Sequence, residues 1–302
     1  MHDGLLLVDK HPNCTSHDVV QRVRRLLRQR KVGHCGTLDP GATGLLTVTA
    51  GKATRLTRFL VRAPKVYAGW IRFGITTDTY DAGGEVVEEK SIDDLEMEAI
   101  LPAMEPFVGR SKQLTPPFSA KKHQGVRYYE MARRGEKVPE ARKEVEVFEF
   151  EATGDLEDGR IPFRAGCSSG TYVRSLAHEL GAVLGCGAHL AELRRLQVGP
   201  FQLEQALDLE ELERRESGGD SLEPAWIDLD EIPLPFGDLV ADAQQERRIV
   251  SGQTVLMRPI SSDEGDWVKL INRRHQMLAV GTVIETIGSN GVGVIQPRIV
   301  FR

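Results

Sequence analysis

The segment Gly33-His34-Cys35-Gly36-Thr37-Leu38-Asp39-Pro40-Gly41-Ala42-Thr43-Gly44 constrains this chain more than any other stretch. With four glycines and a proline it is expected to form a loop. Before it, Val19, Val20, Val23, Leu26 and Leu27 recur at helical spacing with arginines between them, and Ser16 is the expected N-cap. After it, Leu45 to Ala50 reads as a buried strand. Asp-Pro-Gly is also an ordinary turn. Here, however, the residue before proline is held extended, and the glycines let other backbone come close. A carboxylate fixed in this way can project into a cleft and attack an anomeric carbon. Glycoside hydrolysis usually enlists a second acid, and none sits in this loop, so Asp39 reads as acting alone.

The rest of the chain predicts an α+β fold. Val66 to Ile75 and Gly84 to Val87 read as strands joined by a turn at Asp81-Ala82-Gly83-Gly84. An acidic amphipathic helix is expected over 90–105. Residues 112–143 are basic, rich in turn residues, and contain Pro116-Pro117, Lys121-Lys122 and Tyr128-Tyr129. Glu144 to Glu151 alternates with a slip at Val147-Phe148, the mark of a bulged strand whose neighbour is Ile161 to Ala165. Val173, Leu176, Ala177, Leu180, Val183 and Leu184 share one helical face that stops at Gly185. The last ~65 residues carry three short strand-like runs, Asp266 to Ile271, Met277 to Val283 and Val292 to Val300, which predict a small all-β module.

With 302 residues the chain can bury a large core without disulfides. Its four cysteines are far apart and form no C-x-x-C pair, as suits a reducing cytoplasm. The N-terminus lacks signal-peptide features, and no run approaches a membrane span, so a cytoplasmic protein without a membrane partner is expected. The net charge of -5 argues against a polyanionic partner only on average. Residues 1–80 hold 13 Lys/Arg against five acids, whereas 203–232 hold 11 acids against two arginines. A molecule polarised in this way can hold RNA.

The remaining candidates are open on residue grounds. His34 lacks a second ligand at metal spacing. The loop glycines match neither the phosphate-cradling nor the dinucleotide signature, so no metal and no cofactor is expected. Arg174 lies in a first helical turn, where the helix dipole disfavours a cation, so it is either compensated by a carboxylate or phosphate or solvated at the surface. Tyr67 reads as a core strand aromatic, the commoner case, or as a face on which a base stacks, and periodicity does not choose between them. Residues 112–143 fit a solvated loop or, better, phosphate contacts and stacking on RNA.

The Gly33 to Leu46 segment resembles the catalytic motif of the TruB family of tRNA pseudouridine synthases. Further segments resemble the same family in the same order: Lys65-Val66-Tyr67, Asp78 to Gly84, Gln113 to Ala120, Gly170-Thr171-Tyr172-Val173-Arg174, and Gly185 to Leu190 with Leu193-Arg194-Arg195-Leu196. The resemblance implies a mixed, largely antiparallel central sheet with flanking helices in a catalytic domain spanning 1–233. It also implies a thumb insertion at about 112–143 and a β-rich PUA-like RNA-binding domain at 234–302, closed by Pro297 to Phe301. Asp39 would be the catalytic carboxylate, Tyr67 would stack on the uracil, and Arg174 would pair with Asp39. Tyr172 would contact the flipped nucleotide, Leu193 would pack against the pocket, and His34 would fill the space left in the RNA stack. The implied reaction isomerises the uridine at position 55 in the T loop of tRNA, on a monomer and without a cofactor. The alternative is an RNA-binding or tRNA-folding module without catalysis, and a hydrolytic glycosidase ranks last. The chain departs from the family pattern at Lys10 to Ser16, where the family has Lys-Pro directly and a glycine at the position of Asn13.

Overall fold

A computed structural model describes residues 2–119, 122–123, 125–136, 138–258, 262–287 and 291–301. Ala120 and Lys121, both within motifs noted above, lie outside the described residues.

The apolar run Gly4–Lys10 forms β1, and helix α1 spans Ser16–Leu26. Its N-cap is Thr15, not Ser16: Thr15 and Asp18 form a reciprocal capping box, because the acid at the third helical position returns the hydrogen bond. Short β2 (Val32–His34) leads through the Asp39 loop to β3 (Thr43–Ala50). A helical turn α2 (Thr57–Leu60) precedes β4 (Lys65–Phe73). The strand expected to reach Ile75 breaks at Gly74, whose φ is +84°. Beyond that break β5 (Ile75–Thr77) and β6 (Val86–Glu89) form a separate hairpin. The expected acidic helix shortens to α3 (Met97–Met104), with Ile100 and Met104 buried.

Next come β7 (Gly109–Leu114), the two-residue strands β8 (Lys122–His123) and β9 (Val126–Arg127), α4 (Tyr128–Arg133) and β10 (Arg142–Ala152). Strand β11 (Arg160–Cys167) pairs antiparallel with β10, and the register shifts between Val147 and Glu149, where the sequence predicted a bulge. Helix α5 (Val173–Val183) leads into β12 (Ala188–Val198). Then follow β13 (Phe201–Gln202), β14 (Leu207–Asp208), α6 (Leu209–Gly218) and β15 (Trp226–Asp228).

The main sheet runs β14-β1-β3-β12-β4-β11-β10-β7. It is mixed and largely antiparallel, as expected: only β1–β14 and β3–β12 pair parallel along this path. Strand β12 is therefore the seam between the N-terminal strands and the antiparallel β4-β11-β10-β7 group. The acidic segment is not remote from the basic one in space. Helix α6 packs on α1, and Arg22 pairs with Glu213 at 2.8 Å and Glu210 at 3.2 Å.

The C-terminal part has β16 (Asp238–Ala241), α7 (Ala243–Val250), β17 (Val255–Met257), β18 (Trp267–Asn272), β19 (Met277–Ile287) and β20 (Val292–Val300). Its five-stranded sheet runs β16-β18-β19-β20-β17. The expectation of an all-β module is corrected by α7, whose start is a capping box of Asp242 and Gln245, a signal present in the sequence. Leu239, Ile249, Leu270, Leu278 and Ile295 form a core of their own. Met277, Val280, Ile299 and Phe301 instead join the main core, and Phe59 of α2 packs edge-on against Trp267 at 4.9 Å.

Candidate active site

The Asp39 loop is fixed on both sides of the carboxylate. Fully buried Lys10, at the end of β1, donates from Nζ to the Pro40 carbonyl at 3.1 Å and the His11 carbonyl at 2.9 Å. Ser16, released from capping, accepts from Leu38 N at 2.8 Å and donates to Leu38 O at 3.1 Å. Ala42 N closes the Asp-Pro-Gly turn on Asp39 O at 3.1 Å. Gly44 is required by geometry: with φ +94°, a side chain there would collide with the Arg195 backbone.

The departure at Asn13 preserves this framework. Asn13 has φ +61° and donates its amide to Pro40 O at 3.0 Å. Asparagine tolerates that left-handed conformation better than any branched residue, so it reproduces what a glycine would allow. Asn13→Gly is expected to leave the thermal midpoint within the equivalent of about 0.5 kcal/mol, whereas Asn13→Val should cost about 1–2 kcal/mol. Equal midpoints for the two variants in a denaturation series would contradict the role given to this angle.

Helix α5 delivers the partner of Asp39. Arg174 Nε lies 3.0 Å from Asp39 Oδ2, and its Nη2 lies 3.4 Å from Oδ1. The rest of the guanidinium reaches Asp81 Oδ2 at 3.3 Å, Thr79 O at 3.0 Å and Phe118 O at 3.0 Å. A planar fork of donors suits such divided work, which an ammonium could not do. The compensating charge expected for a cation in this first turn is therefore present twice. The start of α5 is held by buried Gln113 of β7, which accepts from Tyr172 N at 2.7 Å and donates to Tyr172 O at 3.0 Å. Asp81 is set in turn by docking of its loop on β12, with Leu190 N donating to Tyr80 O and Ala82 N to Leu190 O, both at 3.0 Å.

Arg174 is buried, its side chain 6% exposed, while that of Asp39 keeps 43% of its surface open to the cleft. Dense protein around Asp39 nonetheless raises its pKa, chiefly by desolvation; Arg174 pulls it down, Asp81 adds to the rise, and Lys10 opposes it. Asp39 is thus not alone: it shares one arginine with a second carboxylate.

Tyr67 lies on β4 opposite Arg195 of β12, and Gly69 lies opposite Leu193, which places Tyr67, Leu193 and Arg195 on one sheet face. Tyr67 is buried against the main core, across the sheet from Arg195. Burial raises its pKa, and the Arg195 charge opposes that rise. Leu193 is half-buried. His34 ends β2 beside Val48, and burial first, then Arg195 and His17, lower its pKa and favour the neutral ring. Tyr172 caps α5. Among the described residues, no hydrogen bond joins the side chain of His34 or Tyr172 to Asp39.

Residues 24–173 match the model of the TruB family pseudouridylate synthase N-terminal domain, and residues 174–240 match the tRNA pseudouridylate synthase B C-terminal domain. The chain belongs to the TruB family. It is 43% identical to tRNA pseudouridine synthase B of Solibacter usitatus over 93% of this chain and 96% of that one. It is 46% identical to the enzyme of the same name from Geobacter sulfurreducens over 72% of this chain and 71% of that one. A solved H/ACA RNP bound to a substrate RNA containing 2'-deoxyuridine contains a chain of the same fold, with TM-score 0.76 and 24% identity, covering 99% of this chain and 85% of that one. Membership in the family makes the chain a pseudouridine synthase, an isomerase.

Reading the sequence alone missed Asp81, Lys10, Ser16, Gln113 and Arg195 as parts of the site. Asp81 and Arg195 stood inside quoted motifs, but nothing local showed which way they face. Asp81→Asn is expected to slow single-turnover isomerisation about 10- to 100-fold by loosening Arg174. With one like charge removed, the acid limb of its rate profile should also move to lower pH. A limb that moves upward would refute the coupling.

Proposed function

We propose that this enzyme converts the uridine at position 55 in the T loop of tRNA to pseudouridine, with Asp39 as the attacking carboxylate. The supporting observation is the ion pair that Arg174 makes with Asp39, whose side chain keeps 43% of its surface exposed. The uridine is flipped out of the stacked loop to reach it. Asp39 forms a bond to the nucleotide, and the bond between ribose C1' and uracil N1 breaks with its electron pair staying on the base. The uracil rotates and C5 bonds to C1', the bond to Asp39 breaks and returns its electron pair to the carboxylate, the C5 proton leaves and N1 gains one. Tyr67 stacks on the base, Tyr172 contacts the nucleotide, Leu193 packs against the pocket, and His34 occupies the vacated place in the RNA stack.

In this reading 1–233 is the catalytic domain, 112–143 the thumb that closes on RNA, and 234–302 a PUA-like RNA-binding domain. The Phe118 carbonyl, which accepts from Arg174, supports a link between the 112–143 segment and the catalytic arginine. The protein acts as a cytoplasmic monomer without a cofactor; among the described residues, no helix is long and apolar enough to cross a membrane.

Transfer RNA carrying C5-tritiated uridine tests the whole reading. Tritium release, with pseudouridine mapped to the T loop, is the expected result. Tight tRNA binding without release would instead indicate a folding module, and free uracil among the products would indicate hydrolysis.

A further inference from the structure

We infer that Arg195 is a positioning residue for isomerisation, holding the Asp39 loop in one rigid frame with Tyr67, its partner across the sheet. The inference rests on the roles proposed above for Asp39 and Tyr67.

Arg195 is buried on β12, the seam strand, with Gly44 as its Cα partner on one side and Tyr67 on the other. Its guanidinium addresses the loop at three points: Nε donates to Leu45 O at 2.7 Å, Nη2 to Gly36 O at 3.1 Å, and Nη1 to Thr37 O at 3.4 Å. The same residue stands opposite Tyr67 in the β12–β4 register, and its charge opposes the rise in the pKa of the Tyr67 hydroxyl. One side chain therefore spans both ends of the segment that carries Asp39 and the ring placed against the base. Burying a cation among neutral carbonyls carries a desolvation cost of several kcal/mol, which a well-packed apolar residue would avoid. What the cation supplies in return is register. The fork fixes the loop against the strand position that faces Tyr67. Glycine at Gly36, with φ +122°, lets the backbone turn its carbonyl onto this fork in a conformation that a side chain would strain.

A positioning role separates rate from binding. Arg195→Lys keeps the charge but not the fork, so single-turnover isomerisation should fall on the order of 100-fold while tRNA affinity stays within about twofold. Arg195→Gln, which keeps donors without charge, provides a second variant if the lysine form folds poorly. Because Arg195 acts through Tyr67 and the loop, Arg195→Lys combined with Tyr67→Phe should be no more than about threefold slower than the slower single variant. Fully multiplicative losses, or a wild-type rate in Arg195→Lys, would overturn the inference. Hydrogen exchange over residues 33–44 gives an independent readout: both variants should exchange at least about 10-fold faster there with the rest of the main sheet unchanged. Unchanged loop exchange overturns the inference even if the parent enzyme proves inactive on tRNA, a result that would by itself count only against the proposed function.

Discussion

Asp39→Asn is expected to abolish pseudouridine formation while melting no lower than the parent enzyme at neutral pH. Loss of the attacking oxyanion should lower the rate by about 10⁴-fold or more, the scale seen when a nucleophile is removed. The amide keeps the shape and can still accept from Arg174, so tRNA affinity should persist. The stability arm follows from the raised pKa of Asp39, which means that the folded protein holds that proton more tightly than the unfolded chain does. Such a group contributes stability at low pH that is lost as pH rises from the ordinary carboxylate value of 3.8 through the raised one. Asparagine has no such loss. The melting temperature of the variant relative to the parent should therefore climb across that window and then level off. A parent that gains stability over the same window, relative to the variant, would reverse the assignment of Asp39 as a strained anion. The expected pattern is the trade of stability for activity common at active sites.

Arg174→Lys is expected to lower single-turnover isomerisation by about 10²- to 10³-fold with little change in tRNA affinity. Arg174 has two carboxylates and two backbone carbonyls as partners, and a lysine ammonium, a compact point charge, cannot reach all four in one geometry. Removing the charge altogether, as in Arg174→Met, adds a stability penalty. For a fully buried pair that would be about 3–5 kcal/mol, and here it should be smaller because Asp39 is 43% open and water can solvate it. Denaturant midpoints would measure the penalty, and rapid-quench assays the rate. A lysine variant with parental rate would show that charge alone suffices and that the directed pairing is incidental.

The parts of this molecule legible in the sequence were those governed by neighbours along the chain. The bulge at Val147-Phe148, the stop of α5 at Gly185 and the loop flanked by helix and strand all follow from local patterning. The break at Gly74 and the brevity of α3 were not visible, because tertiary docking decides where an apolar run stops pairing. Helix α7 was missed although its capping box was present, since three strand-like runs dominated the reading of that region. The site shows the same division. Asp39 stood out from its turn, but its company is assembled across the sheet: Arg174 lies 135 residues away and Asp81 sits in what read as a plain hairpin turn. Periodicity reports which side of an element is apolar and says nothing of which loops meet. Resemblance to the family supplied Arg174 and Tyr67, and only the coordinates supplied Lys10, Ser16 and Arg195.

The seam at β12 also dictates when the enzyme can exist. Arg195 meets Leu45 across 150 residues of intervening chain, and β12 contributes the strand between β3 and β4. During synthesis the Asp39 loop emerges from the ribosome long before the strand that must slot in beside it. Its neighbours β1 and β3 lie on either side of α1 and β2 in the N-terminal part, but the gap between β3 and β4 waits for distant sequence, and such non-local pairing is slow. The nascent N-terminal part thus carries its carboxylate and Lys10 but neither Arg174 nor Arg195. Competence for chemistry arrives in one late step, when the seam closes.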